Sequence, residues 1–308
     1  MWFLALAVGC IEGVGAPEGG PPRVEARPAT QALGWVRQIA TDGSTVAWSS
    51  YDFTKGTSDR ATIDVMTLPS GARRELAEER HPPAQIAVHG GYVWWHYRDG
   101  GLKRVPVGGG EVERLVERLP AACFGIDDGG VYWFADADLF RFDPSTGTTT
   151  TLVRRVLGDC PVPLGDRVYW NERRGTYAVP RAGGEATLVA DLKRPQGLVV
   201  HDGGLYACVD DVLTHIDPTS GEPRKVRSYC RPDGLAVTDA GHWFRVAYYE
   251  GWPAEEKWRV AEVTSSGVSW LYDGLGVSPV VVADGKVVWF GRPHDGPIEW
   301  SGYAVPLP

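Results

Sequence analysis

One short phrase recurs along the chain and constrains its fold more than any other feature. At Gly165-Asp166-Arg167-Val168-Tyr169-Trp170-Asn171 a polar turn runs into a β-branched residue and two aromatics. Related phrases stand at residues 42–48, 90–94, 128–133, 202–207, 239–243 and 284–289. Gly and Asp tolerate the backbone of tight turns, and β-branched and aromatic residues suit a half-buried pleated strand. Aligned on residues 48, 94, 133, 170, 207, 243 and 289, the copies follow one another at intervals of 36 to 46 residues. Between them the apolar residues alternate or run in short blocks, without the i, i+3, i+4, i+7 spacing of an amphipathic helix. A period near 40 with strand patterning predicts an all-β, seven-bladed β-propeller of four-stranded antiparallel blades. Each blade packs only on its neighbours, so 308 residues need no single oversized core.

The second copy shows the plan of a blade. Residues 85–88 are small and apolar, as an innermost strand near an axis requires. Residues 92–97 bring the aromatics that fill the space between blades. Residues 102–107 form the third strand, ended by Gly108-Gly109-Gly110, and residues 112–116 form an outer strand edged with Glu113, Arg114 and Glu117. Asp143-Pro144-Ser145-Thr146-Gly147 and Asp217-Pro218-Thr219-Ser220-Gly221 are turns before the outer strands of blades three and five. The last copy stops after residues 302–306 without an outer strand, whereas residues 19–27 read as a turn and an outer strand without a blade. The segment near Val24 is therefore expected to close the last blade and join the two chain ends.

Val168-Tyr169-Trp170-Asn171, with Tyr177-Ala178-Val179-Pro180 and Gly183-Gly184 downstream, resembles the YWTD-type repeat of low-density-lipoprotein-receptor propellers. It is closer still to bacterial proteins built from similar repeats. Gln196-Gly197-Leu198-Val199-Val200 and Asp233-Gly234-Leu235-Ala236-Val237 resemble the first strand of those repeats and of NHL-type propellers. The resemblance spans residues 35–306 and implies the fold; it implies no particular function.

Residues 1–9 are almost wholly apolar, and Ala7-Val8-Gly9-Cys10 resembles a bacterial lipoprotein signal, in which small residues precede a cysteine that becomes lipidated. The alternative is an ordinary apolar N-terminus with an incidental Cys10. On the first reading residues 1–10 are a signal, residues 11–22 a flexible Gly/Pro tether, and residues 23–308 the propeller. The protein would then be exported, to the bacterial outer membrane or periplasm as a lipoprotein, or to the extracellular space. Membrane contact would come only through the lipid anchor, since no other stretch nears the ~18 apolar residues of a span. A net charge of −8 offers no generic attraction for nucleic acid. A closed ring gives no reason for more than a monomer.

Four further cysteines allow three pairings. Cys123 and Cys160 each lie ten residues before an alignment aromatic, at equivalent points of adjacent blades. Cys230 sits at a similar point, and Cys208 lies on the second strand of the blade before it. Bridges Cys123–Cys160 and Cys208–Cys230 are favoured, with reduced buried thiols as the alternative if the compartment is not oxidising.

Loop length singles out one arc of the ring. From alignment aromatic to turn glycine, blades two to five span 13 or 14 residues, against 23 in blade one and 24 in blade six. Residues 291–297 lengthen the last copy as well. These insertions join second to third strands and are expected to rise from one face as a crescent. It would carry Tyr51, Phe53, Tyr248, Tyr249, Trp252, Trp258, Arg292 and His294, a recognition surface for a protein, peptide or glycan. The competing expectation is a longer hairpin that packs its aromatics on itself.

Catalytic chemistry is not visible. The seven histidines, His81, His89, His96, His201, His215, His242 and His294, show no metal-ligand spacing, and no GxSxG or P-loop occurs. Asp136 and Asp138 hint at calcium without the rest of a coordinating loop. No catalytic residue, metal or cofactor is assigned. The leading reading is an exported or envelope-anchored, non-enzymatic binding module. The alternative is a propeller hydrolase or lyase with a metal at the channel mouth, near Arg194, Gln196, Arg231 and Asp233; a purely structural envelope component is a third.

Overall fold

A computed structural model describes residues 28–32, 35–51, 60–68, 71–97, 100–228, 230, 232, 234–239, 241–250, 255–264, 267–274, 276–292 and 300–306. Cys10, the tether and the segment near Val24 lie outside them. Strand β1 (Pro28–Ala32) comes first. Blade one is β2 (Trp35–Thr41), β3 (Thr45–Tyr51), β4 (Ala61–Thr67) and β5 (Arg73–Glu79). Blade two is β6 (Gln85–His89), β7 (Tyr92–His96), β8 (Leu102–Pro106) and β9 (Glu113–Val116). Blade three is β10 (Phe124–Asp127), β11 (Gly130–Ala135), β12 (Asp138–Asp143) and β13 (Thr148–Arg154). Blade four is β14 (Val162–Leu164), β15 (Arg167–Glu172), β16 (Gly175–Pro180) and β17 (Thr187–Asp191). Blade five is β18 (Gln196–His201), β19 (Gly204–Val209), β20 (Val212–Ile216) and β21 (Pro223–Ser228). Blade six is β22 (Ala236–Val237), β23 (His242–Glu250), β24 (Glu255–Thr264) and β25 (Gly267–Gly274). The remaining strands are β26 (Gly276–Val277), β27 (Val281–Ala283), β28 (Lys286–Arg292) and β29 (Trp300–Pro306).

Each of the six blades is an antiparallel meander in chain order. The recurring phrase works through its last aromatic, which stacks on its cross-strand partner. Trp133 lies on Phe140 at 5.8 Å, Trp170 on Tyr177 at 6.1 Å and Trp289 on Tyr303 at 5.5 Å, with interplanar angles of 17° to 21°. These three pairs are also register partners in their ladders, so the strand pairing itself brings the rings together. Buried clusters then join neighbouring sheets around the ring. Trp94, Phe124 and Trp133 lie between blades two and three; Tyr132, Leu139 and Trp170 between three and four; Tyr169, Ala178 and Leu205 between four and five. All six blades carry a register shift between third and outer strand, which adds twist to the outer edge.

The expectation of a seven-bladed propeller is overturned: the described residues form an all-β propeller of six four-stranded antiparallel blades. The remaining sheet among them has five strands, in the order β1-β29-β28-β26 with β27 also on β28. The physical cause is a break in its inner strand. Pro279 has no N–H to give to a ladder. Beside it the Ser278 N–H bonds to the Phe290 carbonyl, while the Phe290 N–H bonds to Ser278 Oγ, both at 2.9 Å. A hydroxyl thus replaces a backbone carbonyl, and β26 and β27 flank the gap. The N-terminal strand does pair with the final one, but it is Pro28–Ala32, with Pro28 opposite Tyr303 and Ala32 opposite Trp300. Trp48 and Phe290, 4.8 Å apart, pack this sheet against blade one.

Candidate functional site

The two ends of the ring differ. At one end lie the turns between first and second strands, and these are tied from blade to blade. His89 Nε2 lies 3.0 Å from Asp128 Oδ1, and His201 Nε2 lies 2.9 Å from Asp239 Oδ1. Arg181 pairs with Asp127, and the Asp284 N–H donates to the Gly43 carbonyl at 2.7 Å. His89, His201 and His242 lie in or beside the turns of the recurring phrase; the first two link neighbouring blades, and His242 is buried. The available signal was an acidic turn residue one repeat after each histidine, at 128 and 239. Asp42 braces its own turn in another way. Burial alone would raise its pKa, but N–H bonds from Ser44 and Thr45 and the Ser44 hydroxyl hold it below the usual value.

The opposite end carries the second-to-third-strand connections. Here β23 and β24 are nine and ten residues long, against six each for β15 and β16. Their ladder continues through Tyr248↔Lys257 and Tyr249↔Glu256 to Glu250↔Glu255. On the flanks β22 reaches only Trp243, and β25 reaches only Trp258. Residues 248–250 and 255–257 therefore form a two-stranded ribbon beyond the four-stranded sheet. This is the lengthened hairpin expected as the competitor of the crescent, and it carries two of the crescent tyrosines. Trp258 stands at its base opposite Ala247. Tyr51 is half-buried at the end of β3, between Trp35 and Ala61 in the ladder. Arg292 ends β28 opposite Gly276. Phe53, Trp252 and His294 lie outside the described residues.

Across the same face, sequence reasoning missed a cleft of about 630 Å³. Three segments build it: residues 157–159 before blade four, 171–173 at the end of β15, and 194–196 leading into blade five. The Asp159 N–H donates to the Asn171 carbonyl at 3.1 Å, and the Arg194 N–H donates to the Arg173 carbonyl at 3.0 Å. Glu172 accepts the Trp170 indole N–H at 2.9 Å. Burial pushes the Asp159 carboxyl pKa up. Of the residues expected at the channel mouth, Arg194 and Gln196 line this cleft, while Arg231 and Asp233 lie outside the described residues.

Two disulfides flank it. Cys123–Cys160 and Cys208–Cys230 have Cα separations of 5.4 and 5.5 Å. Cys160 follows Asp159 directly, and Cys208 is the ladder partner of Gln196. Asp136 lies in the turn between β11 and β12, and Asp138 opens β12; Asp136 and Ala137 are left-handed, and Asp138 accepts the Arg155 N–H at 3.1 Å. Among the described residues no three His, Cys, Asp or Glu side chains gather in one place, and no helix is long and apolar enough to cross a membrane.

No protein-family model and no curated protein matches the chain. Solved structures do. The WD40 β-propeller domain of Doa1 aligns with a TM-score of 0.58 at 12% identity, over 90% of this chain and 96% of that one. A computationally designed protein, Ika8, aligns at 0.57 and 13% identity, over 90% and 98%. A chain of a mitotic checkpoint complex aligns at 0.57 and 10% identity, over 96% and 100%. At such identities the likeness concerns the fold alone, and the fold is a β-propeller.

Proposed function

We propose that the chain is an exported, non-enzymatic propeller of the bacterial YWTD/NHL-like kind that captures a protein partner with the face bearing the β23–β24 ribbon. The observation that carries this reading is the ribbon itself. A ladder that outruns both flanking strands gains little for the blade, and it sets Tyr248 and Tyr249 beside the connection that holds Trp252. Tyrosine and tryptophan dominate the energetics of protein recognition. The two disulfides fit an oxidising compartment, and Ala7-Val8-Gly9-Cys10 fits a lipid anchor ahead of a tether over residues 11–22. One structurally similar chain comes from a multiprotein complex. The test is the triple variant Tyr248→Ala, Tyr249→Ala, Trp252→Ala, compared with the parent chain in crosslinked capture from envelope extract. Loss of one specific band with an unchanged melting temperature supports the reading. Unchanged capture, or unfolding of the variant, overturns it.

A further inference from the structure

We propose that the cleft at the start of blades four and five is a second binding site, which takes the carboxylate of a peptide between Arg173 and Arg194 and rests an adjacent apolar side chain on Leu157. Both arginines are exposed, line the same cleft and are joined through their backbones. Neither has an ion-pair partner among the described residues. By contrast, the arginines set between or within the blades are engaged: Arg73 with Asp64, Arg104 with Glu113 and Arg181 with Asp127. A guanidinium fork matches a carboxylate in plane and can bond it twice.

The rest of the lining narrows the ligand. Leu157 is 75% exposed, the most exposed large apolar side chain in the described structure, and it stands at the cleft. The floor holds Asn171, buried, with Oδ1 bonded by the Thr176 hydroxyl and Nδ2 without a partner. That amide donor is shut off from the cleft's solvent, so the charged contacts of the site are left to the two arginines. Two carboxyls, Asp159 and Glu172, share the cleft and oppose a densely charged anion such as phosphate. Glu172 is held by Trp170, and burial makes Asp159 surrender its charge more readily than an open carboxyl. A singly charged carboxylate therefore suits the site better than a phosphate. Among the described residues no aromatic lines it, and none there offers the flat platform on which sugars stack. The flanking disulfides hold the walls before any ligand arrives, which lowers the cost of binding.

The experiment uses the full chain and four probes: N-acetyl-Ala-Ala-Leu with a free carboxylate, its C-terminal amide, N-acetyl-Ala-Glu-Leu-amide, and inorganic phosphate. Binding is read by isothermal titration. One of the two acidic probes is expected to bind saturably and the neutral amide at least about tenfold more weakly. Which acidic probe wins tells a chain terminus from a side chain. Arg173→Gln and Arg194→Gln should each weaken the winner about tenfold or more at unchanged melting temperature. The proposal is overturned if no acidic probe binds up to about 10 mM, if the amide binds equally, if inorganic phosphate binds as tightly, or if the folded arginine variants bind as the parent does. The amide comparison needs no variant and stands even if the variants fail to fold.

Discussion

Gly158 lies directly against Trp170. A β-carbon on this glycine would stand 2.5 Å from the indole Cδ1 and 2.5 Å from Cζ of Phe134. Those two rings meet edge to face with centroids 5.7 Å apart, and Trp170 is fully buried between blades three and four. Trp170, enclosed on all sides, has no room to withdraw. Gly158→Ala therefore overpacks the interface, and we expect a loss of about 1–3 kcal/mol. A lower denaturant midpoint at unchanged slope would show it; a midpoint equal to the parent's would mean the rings give way freely.

The bridges Cys123–Cys160 and Cys208–Cys230 close loops of 37 and 22 residues. In the loop-entropy account each is worth about 3–4 kcal/mol through restriction of the unfolded chain. The pair Cys123→Ser, Cys160→Ser should therefore lower the melting temperature by several degrees. Reductant should lower that of the parent and affect the variant less. Calorimetry with and without reductant makes the comparison.

Tyr132 reports on the tie between blades three and four. Burial, then the Asp127 charge, push its phenol up to about 12, against the opposing pull of Arg181 and Arg141. Its hydroxyl lies 3.3 Å from Asp127 Oδ1. Because the folded value exceeds the unfolded one, the folded chain keeps this proton longer. The resulting stability is complete below pH ~10 and disappears as pH rises toward ~12. Asp127→Asn should bring the phenol back toward its ordinary value, visible by ultraviolet difference titration. An unmoved titration would remove Asp127 from the account.

Asp159 carries the opposite kind of linkage. Burial raises its folded pKa above the unfolded carboxylate value, so the charge it bears at neutral pH opposes folding, and stability declines as pH rises through that folded value. Asp159→Asn should be more stable than the parent near pH ~7, with the difference vanishing near pH ~3. Paired denaturation curves at the two pH values decide it.

What could be read from the sequence was local. Turn and strand share one phrase, and ladder pairing places Trp170 on Tyr177 without help from the rest of the chain. The pattern that marks an inner or middle strand fades at the rim, where one face meets solvent; the closing strand was accordingly expected near Val24 and lies at Pro28–Ala32. Pro279 was visible, but not that Ser278 Oγ would stand in for a ladder carbonyl. The cleft was invisible for a different reason. Leu157, Arg173 and Arg194 sit on three connections of unlike sequence and meet only when adjacent blades are set side by side. Similarly, His89 and Asp128 belong to separate repeats, and neither phrase alone calls for the other.

The pairing of Pro28 with Tyr303 sets an order of events. No local encounter can make this contact, because almost the whole polypeptide must already be arranged to bring its partners together, and such distant pairings are slow to form. Until it forms, β29 offers an unsatisfied strand edge to any passing chain. A second copy's leading strand has the matching sequence, so crowded newly made molecules face a choice between shutting on themselves and trading first strands with each other.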